Sequence, residues 1–356
     1  MKLPLLSKKV LSIDFGGKEI KFVEGQATKA SINITKAFKI DIPGDIYRDG
    51  NIFDTGLLAS LIREALSENK VKVEKAYGLV NSSELITRNL ILPKVSEKET
   101  QSMIEYQLEE LLPVDPDEYV VSSVHVGDKL DDGVEKMDIL LVVVPKNMVL
   151  SHLELMKELG LRPEVLDFQA NAIAKLLKHS SLVNGFYNTR DMVIASVDMG
   201  YSNSKLTIVK DGKILVTRVL DIGYKSMVDD MTSLLDYSLE ELEEKIFEIS
   251  DINTSDDEFT DDNRLQNMVK TTVDNLIESV DTVFRYYTSR ESANAINFIL
   301  LQGGMSKVRG IENLFSNYFN IPSIKLKELD RVRLDGDLSS YSNAIGGLIR
   351  VEGVKK

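Results

Sequence analysis

No cysteine and no tryptophan occur among the 356 residues, so disulfide bonds and thiolate metal sites are excluded at once. Histidine is nearly as scarce: His125, His152 and His179 lie far apart, without ligand spacing, which argues against a zinc centre. Positive charge is short as well. Lys and Arg number 43 against 56 Asp and Glu, and the net charge of −13 has the wrong sign for neutralising a nucleic-acid backbone. Long apolar runs are also missing. The longest aliphatic one, Ile139 to Val144, is far shorter than the roughly 20 residues that span a bilayer, and the opening "MKLPLLSKKV" lacks a signal-peptide core. These absences lead us to expect a soluble, cytoplasmic protein with no nucleic-acid partner and no direct membrane insertion.

What is present is enough apolar material, 43%, for a large core in a chain too long for a single one, so two lobes with a cleft are expected. An internal repeat supports this. "VLSIDFGGKEIKFVEG" from Val10 is echoed by "VIASVDMGYSNSKLTIVKDGKI" from Val193. Each copy has an apolar run, Asp-x-Gly and a Lys seven positions after the Asp, pairing Asp14 with Lys21 and Asp198 with Lys205. Alternating apolar residues follow in both, which is the period of a strand, so each copy reads as strand, turn, strand. "KDG" at Lys210 to Gly212 adds a further hairpin.

Between the copies, "LLASLIREALSEN" has helical periodicity and "KAYGLVNS" reads as a strand. "ITRNLILP" opens a new unit containing the helix "SEKETQSMIEYQLEELLP", with a capping box at Ser96 and Glu99 and an apolar face of Met103, Ile104, Leu108, Leu111 and Leu112. Two strands, the helix "NMVLSHLELMKELG" and the strand "PEVLDF" follow, and "ANAIAKLLKHS" is helical. The expected division is 1–85 plus 166–185 for the first lobe's core, 86–165 for an inserted α+β subdomain, 186–225 plus 296–356 for the second lobe's core, and 226–295 for its own insertion. Ser250 to Asn263 is acidic and reads as a mobile loop ahead of a long helix with Leu265, Met268, Val269, Leu276, Ile277, Val280 and Phe284 buried.

Taken alone, "DFGG" is a hairpin turn in which Gly supplies positive φ. It fits neither a Walker A loop nor a dinucleotide fingerprint, because a strand follows instead of a helix. Two such turns facing each other across a cleft would bring two carboxylates and two sets of turn amides together. Asp14 and Asp198 could then hold Mg²⁺, through water, while N–H groups at Gly16, Gly17, Gly200 and Ser202 grip phosphate oxygens. Lys21 and Lys205 either supply charge to the same phosphates or are solvated strand positions. In "LLQGGMSKVRG", Gly303 and Gly304 let backbone approach a flat ligand such as adenine, or simply make a tight strand-to-helix turn.

These three pieces, in this order and with the two insertions, resemble the actin-like ATPase superfamily of actin, Hsp70, sugar kinases and FtsA, and most nearly its PilM family of type IV pilus assembly. "LPKVSEKETQSMIEYQLEELLPVDPDEYVV" and "LLVVVPKNMVLSHLELMKELGLRPEVLDFQANAIAKLL" carry the likeness to PilM, while "YSNAIGGLIR" resembles the superfamily's final connecting helix. The resemblance implies an α/β, duplicated, ribonuclease H-like two-lobe fold. It also implies ATP or ADP with Mg²⁺ as cofactors, Asp14 and Asp198 as metal-associated carboxylates, and Lys21 as a phosphate contact. Gly223 and Met305 complete the nucleotide set by the same likeness. Asp167 falls where relatives orient the attacking water, or is a helix N-cap; Lys245 falls where relatives contact the nucleoside, or forms an i,i+4 pair with Glu241. Gly17, Lys18 and Glu19 stand where relatives usually carry small hydroxyl residues, and Tyr224 where a second Gly is common, which implies weaker binding and slow hydrolysis. The implied role is a scaffold recruited to the membrane by docking the cytoplasmic N-terminal tail of a PilN-like protein, with the pilus assembly ATPase and self-association as further partners. An FtsA-like filament protein and a small-molecule kinase are the alternatives.

Overall fold

In the computed structural model, the residues described are 9–44, 46–111, 116–131, 133–234, 237–254, 260–290 and 294–350. The opening octapeptide, Leu112, residues 255–259 of the acidic stretch and the final six residues lie outside them.

β1 (Val10–Phe15), β2 (Glu19–Ala27) and β3 (Ile32–Asp41) form an antiparallel meander in which Asp14 stands opposite Lys21. Every residue of β1 is buried, because helices pack on both faces of its sheet. The short hairpin β4 (Tyr47–Arg48) and β5 (Asn51–Ile52) turns at Asp49 and Gly50, both with positive φ. Asp54 caps α1 (Thr55–Glu68), accepting the Leu57 N–H at 2.9 Å, and the helix buries Leu58, Ala59, Ile62 and Ala65. β6 (Lys75–Val80) then runs parallel to β1.

The chain next leaves this sheet for β7 (Ile86–Pro93), α2 (Glu97–Leu111), β8 (Tyr119–Asp131) and β9 (Val134–Pro145), a separate antiparallel sheet in the order β7-β9-β8 with Ile104 and Leu108 of α2 packed on it. Ser96 and Glu99 exchange both bonds of a capping box at the start of α2. α3 (Lys146–Glu158) buries Met148, Leu155 and Met156 against Leu11, Ile13 and Phe15 of the first sheet, and β10 (Arg162–Phe168) pairs with β6. The inserted unit therefore packs as 86–145 and not 86–165: its last helix and strand bury their apolar faces in the first lobe's core. α4 (Gln169–His179) follows.

After the hairpin β11 (Leu182–Val183) and β12 (Tyr187–Asn188), the pattern of the first sheet repeats. β13 (Val193–Met199), β14 (Ser204–Lys210) and β15 (Lys213–Leu220) form a second meander with Asp198 opposite Lys205, and its "KDG" hairpin has positive φ at Asp211 and Gly212. α5 (Tyr224–Leu234), which sequence periodicity did not reveal, precedes α6 (Leu239–Glu248) and the long α7 (Asp261–Arg290). The acidic segment is shorter than expected: Ile252 is buried and α7 begins at Asp261. β16 (Phe298–Gln302) runs parallel to β13, and after α8 (Ile311–Phe319), β17 (Ser323–Lys325) joins β16. Among the described residues the second sheet runs β15-β14-β13-β16-β17.

The chain then returns to the first lobe. β18 (Val332–Arg333) pairs parallel with β3, which completes the order β10-β6-β1-β2-β3-β18, and α9 (Leu338–Gly347) lies across α4 and the first sheet. A side chain at Gly346 would collide with the Ala172 carbonyl oxygen at 2.1 Å, so α4 and α9 cross almost backbone to backbone. Residues 332–347 thus pack with the first lobe, although the sequence division assigned them to the second.

Candidate nucleotide site between the lobes

The two Asp-containing hairpins have the same local construction. A Cβ on Gly16 would lie 2.6 Å from the Glu19 carbonyl oxygen, and one on Gly200 would lie 2.6 Å from that of Asn203. Each turn therefore folds back on the backbone three residues later. Neither glycine has positive φ, so close approach selects glycine here, and not the left-handed backbone expected from the sequence. The turns also touch each other: a Cβ on Gly17 would meet Ser202 Oγ at 2.6 Å. A bond from Asn81 Nδ2 to Asn203 Oδ1, 3.1 Å, crosses the same interface.

Beneath the turns lies a buried polar floor. Asp14, Lys205 and Gln169 are 4%, 7% and 8% exposed. The Lys205 ammonium donates to Gln169 Oε1, and Gln169 Nε2 donates to Asp14 Oδ1 at 2.5 Å. On the other side, Asp198 Oδ2 accepts from Asn343 Nδ2 of α9 at 2.7 Å. Burial pushes the Asp14 carboxyl above the usual range and Asp198 adds to this, against the opposing pull of Lys21, the Gln169 amide and Lys205. Burial likewise pushes the Lys205 ammonium down, while Asp198 and Asp14 hold it up. Gly303, at φ +85°, ends β16 so closely on Asp198 that a Cβ would stand 2.5 Å from Oδ1.

Around this floor is a cavity of about 300 Å³, of the size that takes a small ligand. Asp14, Gly16, Gly17, Lys21, Asp198, Gly200, Ser202, Gly303, Gly304 and Met305 all line it, and so does Lys205. Gly223 does not, but it supports the second turn: its Cα lies against the backbone of Tyr201 to Asn203. Glu19, the anion out of place beside phosphates, is neutralised. Its carboxylate binds the Lys39 ammonium and lies 3.7 Å from Lys21; although burial alone would raise its pKa, these two cations hold it below the ordinary value.

Two further residues singled out by sequence are not brought to the cavity. Asp167 accepts from Phe168 N–H, Asn171 Nδ2 and the Lys175 ammonium, the last at 2.7 Å, and is not the N-cap of α4, which is Phe168. Lys245 pairs with Asp262 at 2.9 Å and not with Glu241, which instead closes a capping box with Ser238. Its neighbours Glu243 and Phe247 face the cavity, together with Tyr201, Tyr224 and Asn343, which the sequence reading did not assign to the site. Gln169 gave no signal beyond its place two residues after Asp167.

Three buried polar atoms on the wall have no partner among the described residues: Tyr224 OH, Ser339 Oγ and Asn343 Oδ1. Buried polar groups of native proteins are nearly always satisfied, so these fit a polar ligand lying between the lobes. Among the described residues no group of three or more His, Asp or Glu could cage a metal. Asp14 and Asp198 each have one oxygen engaged by an amide and a second with no hydrogen-bond donor among the described residues, a donor set that fits Mg²⁺ held through water.

A family model described as type IV pilus assembly protein PilM matches residues 12–340. Among solved structures, the chain is similar to one described as the PilM-PilN type IV pilus biogenesis complex: 19% identity, TM-score 0.79, covering 96% of this chain and 98% of that one. It is also similar to the ethanolamine utilization protein EutJ from Carboxydothermus hydrogenoformans (13%, TM-score 0.57, 97% and 91%) and to MreB5 of Spiroplasma citri bound to AMPPNP (12%, TM-score 0.54, 95% and 94%). At these identities the likeness establishes the fold, which is the actin-like ATPase fold.

Proposed function

Because the chain belongs to the family of type IV pilus assembly protein PilM, we propose that it serves pilus assembly as a nucleotide-binding scaffold whose two lobes close on ATP or ADP. The observation that carries the nucleotide half is the pair of matching hairpins: their turns meet over one cavity with Asp14 and Asp198 at its base and unsatisfied polar atoms on its wall. The turn amides grip the phosphates, Lys21 and Lys205 offset their charge, and Gly303 to Met305 bring backbone to the nucleoside. Mg²⁺, when bound, would neutralise phosphate charge between Asp14 and Asp198. MreB5, of the same fold, is described as bound to AMPPNP. Turnover is slow in this reading, because the carboxylate considered for orienting water, Asp167, is locked to Lys175, and a kinase would lack its base for the same reason.

The neighbour in the PilM-PilN complex supports the second half, docking of the cytoplasmic N-terminal tail of a PilN-like protein, which would bring the chain to the membrane. No described helix is long and apolar enough to cross one.

A ligand at about 100 times its Kd that binds only the folded form adds about 2.7 kcal/mol of stability. Mg-ATP is therefore expected to raise the melting temperature, and Asp14→Ala or Asp198→Ala to abolish the rise; a rise that survives both changes overturns the site. Co-purification with the PilN-like tail peptide tests the partner, and no binding at micromolar concentration removes it.

A further inference from the structure

One side chain of the β1–β2 turn leaves its own lobe. The Lys18 ammonium forms an ion pair with Glu243 of α6, 225 positions further along the chain. The same ammonium stands 5.3 Å from the centre of the Tyr201 ring, in the second hairpin turn, and 5.7 Å from that of Tyr224, at the start of α5. Tyr224 in turn stacks on Phe247 of α6, at 6.1 Å and nearly parallel. All five residues line the same cavity. A single cation from the first lobe is therefore received by an anion and two aromatic faces, all from the second.

Where this contact lies decides what it can do. The Lys18 and Glu243 side chains are 32% and 30% exposed, whereas Asp14 and Lys205 on the floor are almost wholly buried. The floor contacts hold the bottom of the cleft; Lys18 spans its solvent side. A partly exposed ion pair shifts an equilibrium by at most about 5-fold, and a cation over an aromatic ring by about 2- to 5-fold. Together they are strong enough to favour a closed cleft and weak enough to open on thermal fluctuation.

We propose that Lys18 and Glu243 form a strap across the cavity mouth, holding the two lobes together and parting each time a ligand enters or leaves. The strap itself is independent of the ligand's identity; its effect on exchange rests on the nucleotide reading above.

The cysteine-free chain permits a direct test. Cysteines placed at exposed Ser60 of α1 and Glu278 of α7 take nitroxide labels, and pulsed electron resonance gives the distance between lobes in the ligand-free, full-length protein. The parent should show one narrow distribution. Lys18→Gln and Glu243→Gln should each add a longer-distance population, and the swap Lys18→Glu with Glu243→Lys should recover the short one at least in part. Distributions in both single variants identical to the parent's would overturn the strap. In a second measurement, release of a fluorescent ATP analogue should be about 5-fold faster in either single variant, the factor that about 1 kcal/mol represents. An unchanged release rate overturns the gating role. An analogue that fails to bind the parent overturns the nucleotide reading instead, and the label distances still decide the strap.

Discussion

His152 shows how much a single buried residue contributes to the core behind the first turn. Fully buried, it donates from Nδ1 to the Met148 carbonyl at 2.8 Å and accepts the Tyr47 hydroxyl on Nε2 at 3.2 Å, which fixes a neutral ring edge-on to Phe15. Burial lowers its pKa from 6.5 to about 4. The unfolded chain therefore binds a proton that the folded one refuses, and stability present above pH 6.5 is lost as pH falls through 4, by about 3 kcal/mol in total. Urea unfolding at pH 7, 5 and 4 should show this loss, and His152→Gln should remove it; equal pH slopes in the two proteins would contradict the assignment. Gly303→Ala should cost about 1–3 kcal/mol in backbone strain and displace the Asp198 carboxylate, abolishing thermal stabilisation by Mg-ATP. Single residues were also the least legible part of the sequence. Glu19 looked like an obstacle because its partner Lys39 sits on another strand, and the pairing of Asp167 with Lys175, eight positions on, arises only once α4 forms.

Elements were easier to read than the faces they present. The two hairpins declared themselves by alternation, and the helices by apolar stripes, because both periods are local properties of the chain. Which residue of a helix meets a ligand depends on its rotation, set by packing with distant elements. In α6, Glu243 and Phe247 are one turn apart on the cavity side, and Lys245, about 200° around the axis from Glu243, points to Asp262. The crossing of α4 over α9 was likewise hidden, since nothing local marks Gly346 as a contact. It is testable: Gly346→Ala would push its methyl into the Ala172 carbonyl and should destabilise the protein by about 1–3 kcal/mol in chemical denaturation. A neutral result would mean that the helices are free to separate.

For the whole molecule, the duplication was the most informative signal, because two copies of a weak motif imply a cleft with a turn on each side. A nucleotide bound as proposed would contact both sheets at once. Hydrogen exchange with and without Mg-ATP should therefore show residues 14–21 and 198–205 gaining protection together, and Asp198→Ala should remove protection from both turns; loss confined to the second turn would mean that the lobes bind independently. The division of the chain between lobes was only partly legible, because β10, α3 and α9 join the first lobe through contacts far away in sequence.

That late return has a consequence for biogenesis. The outer edge of β3 is covered by residues 332–333, and the face of the first sheet by a helix at 338–347. While the chain is being synthesised, the first lobe emerges with that edge and that face uncovered, and they stay so until nearly all of the second lobe has been made. Contacts of such sequence separation form slowly, and an open strand edge invites pairing with other nascent chains. The first lobe can therefore complete its sheet and its helical cover only after the second lobe has been made.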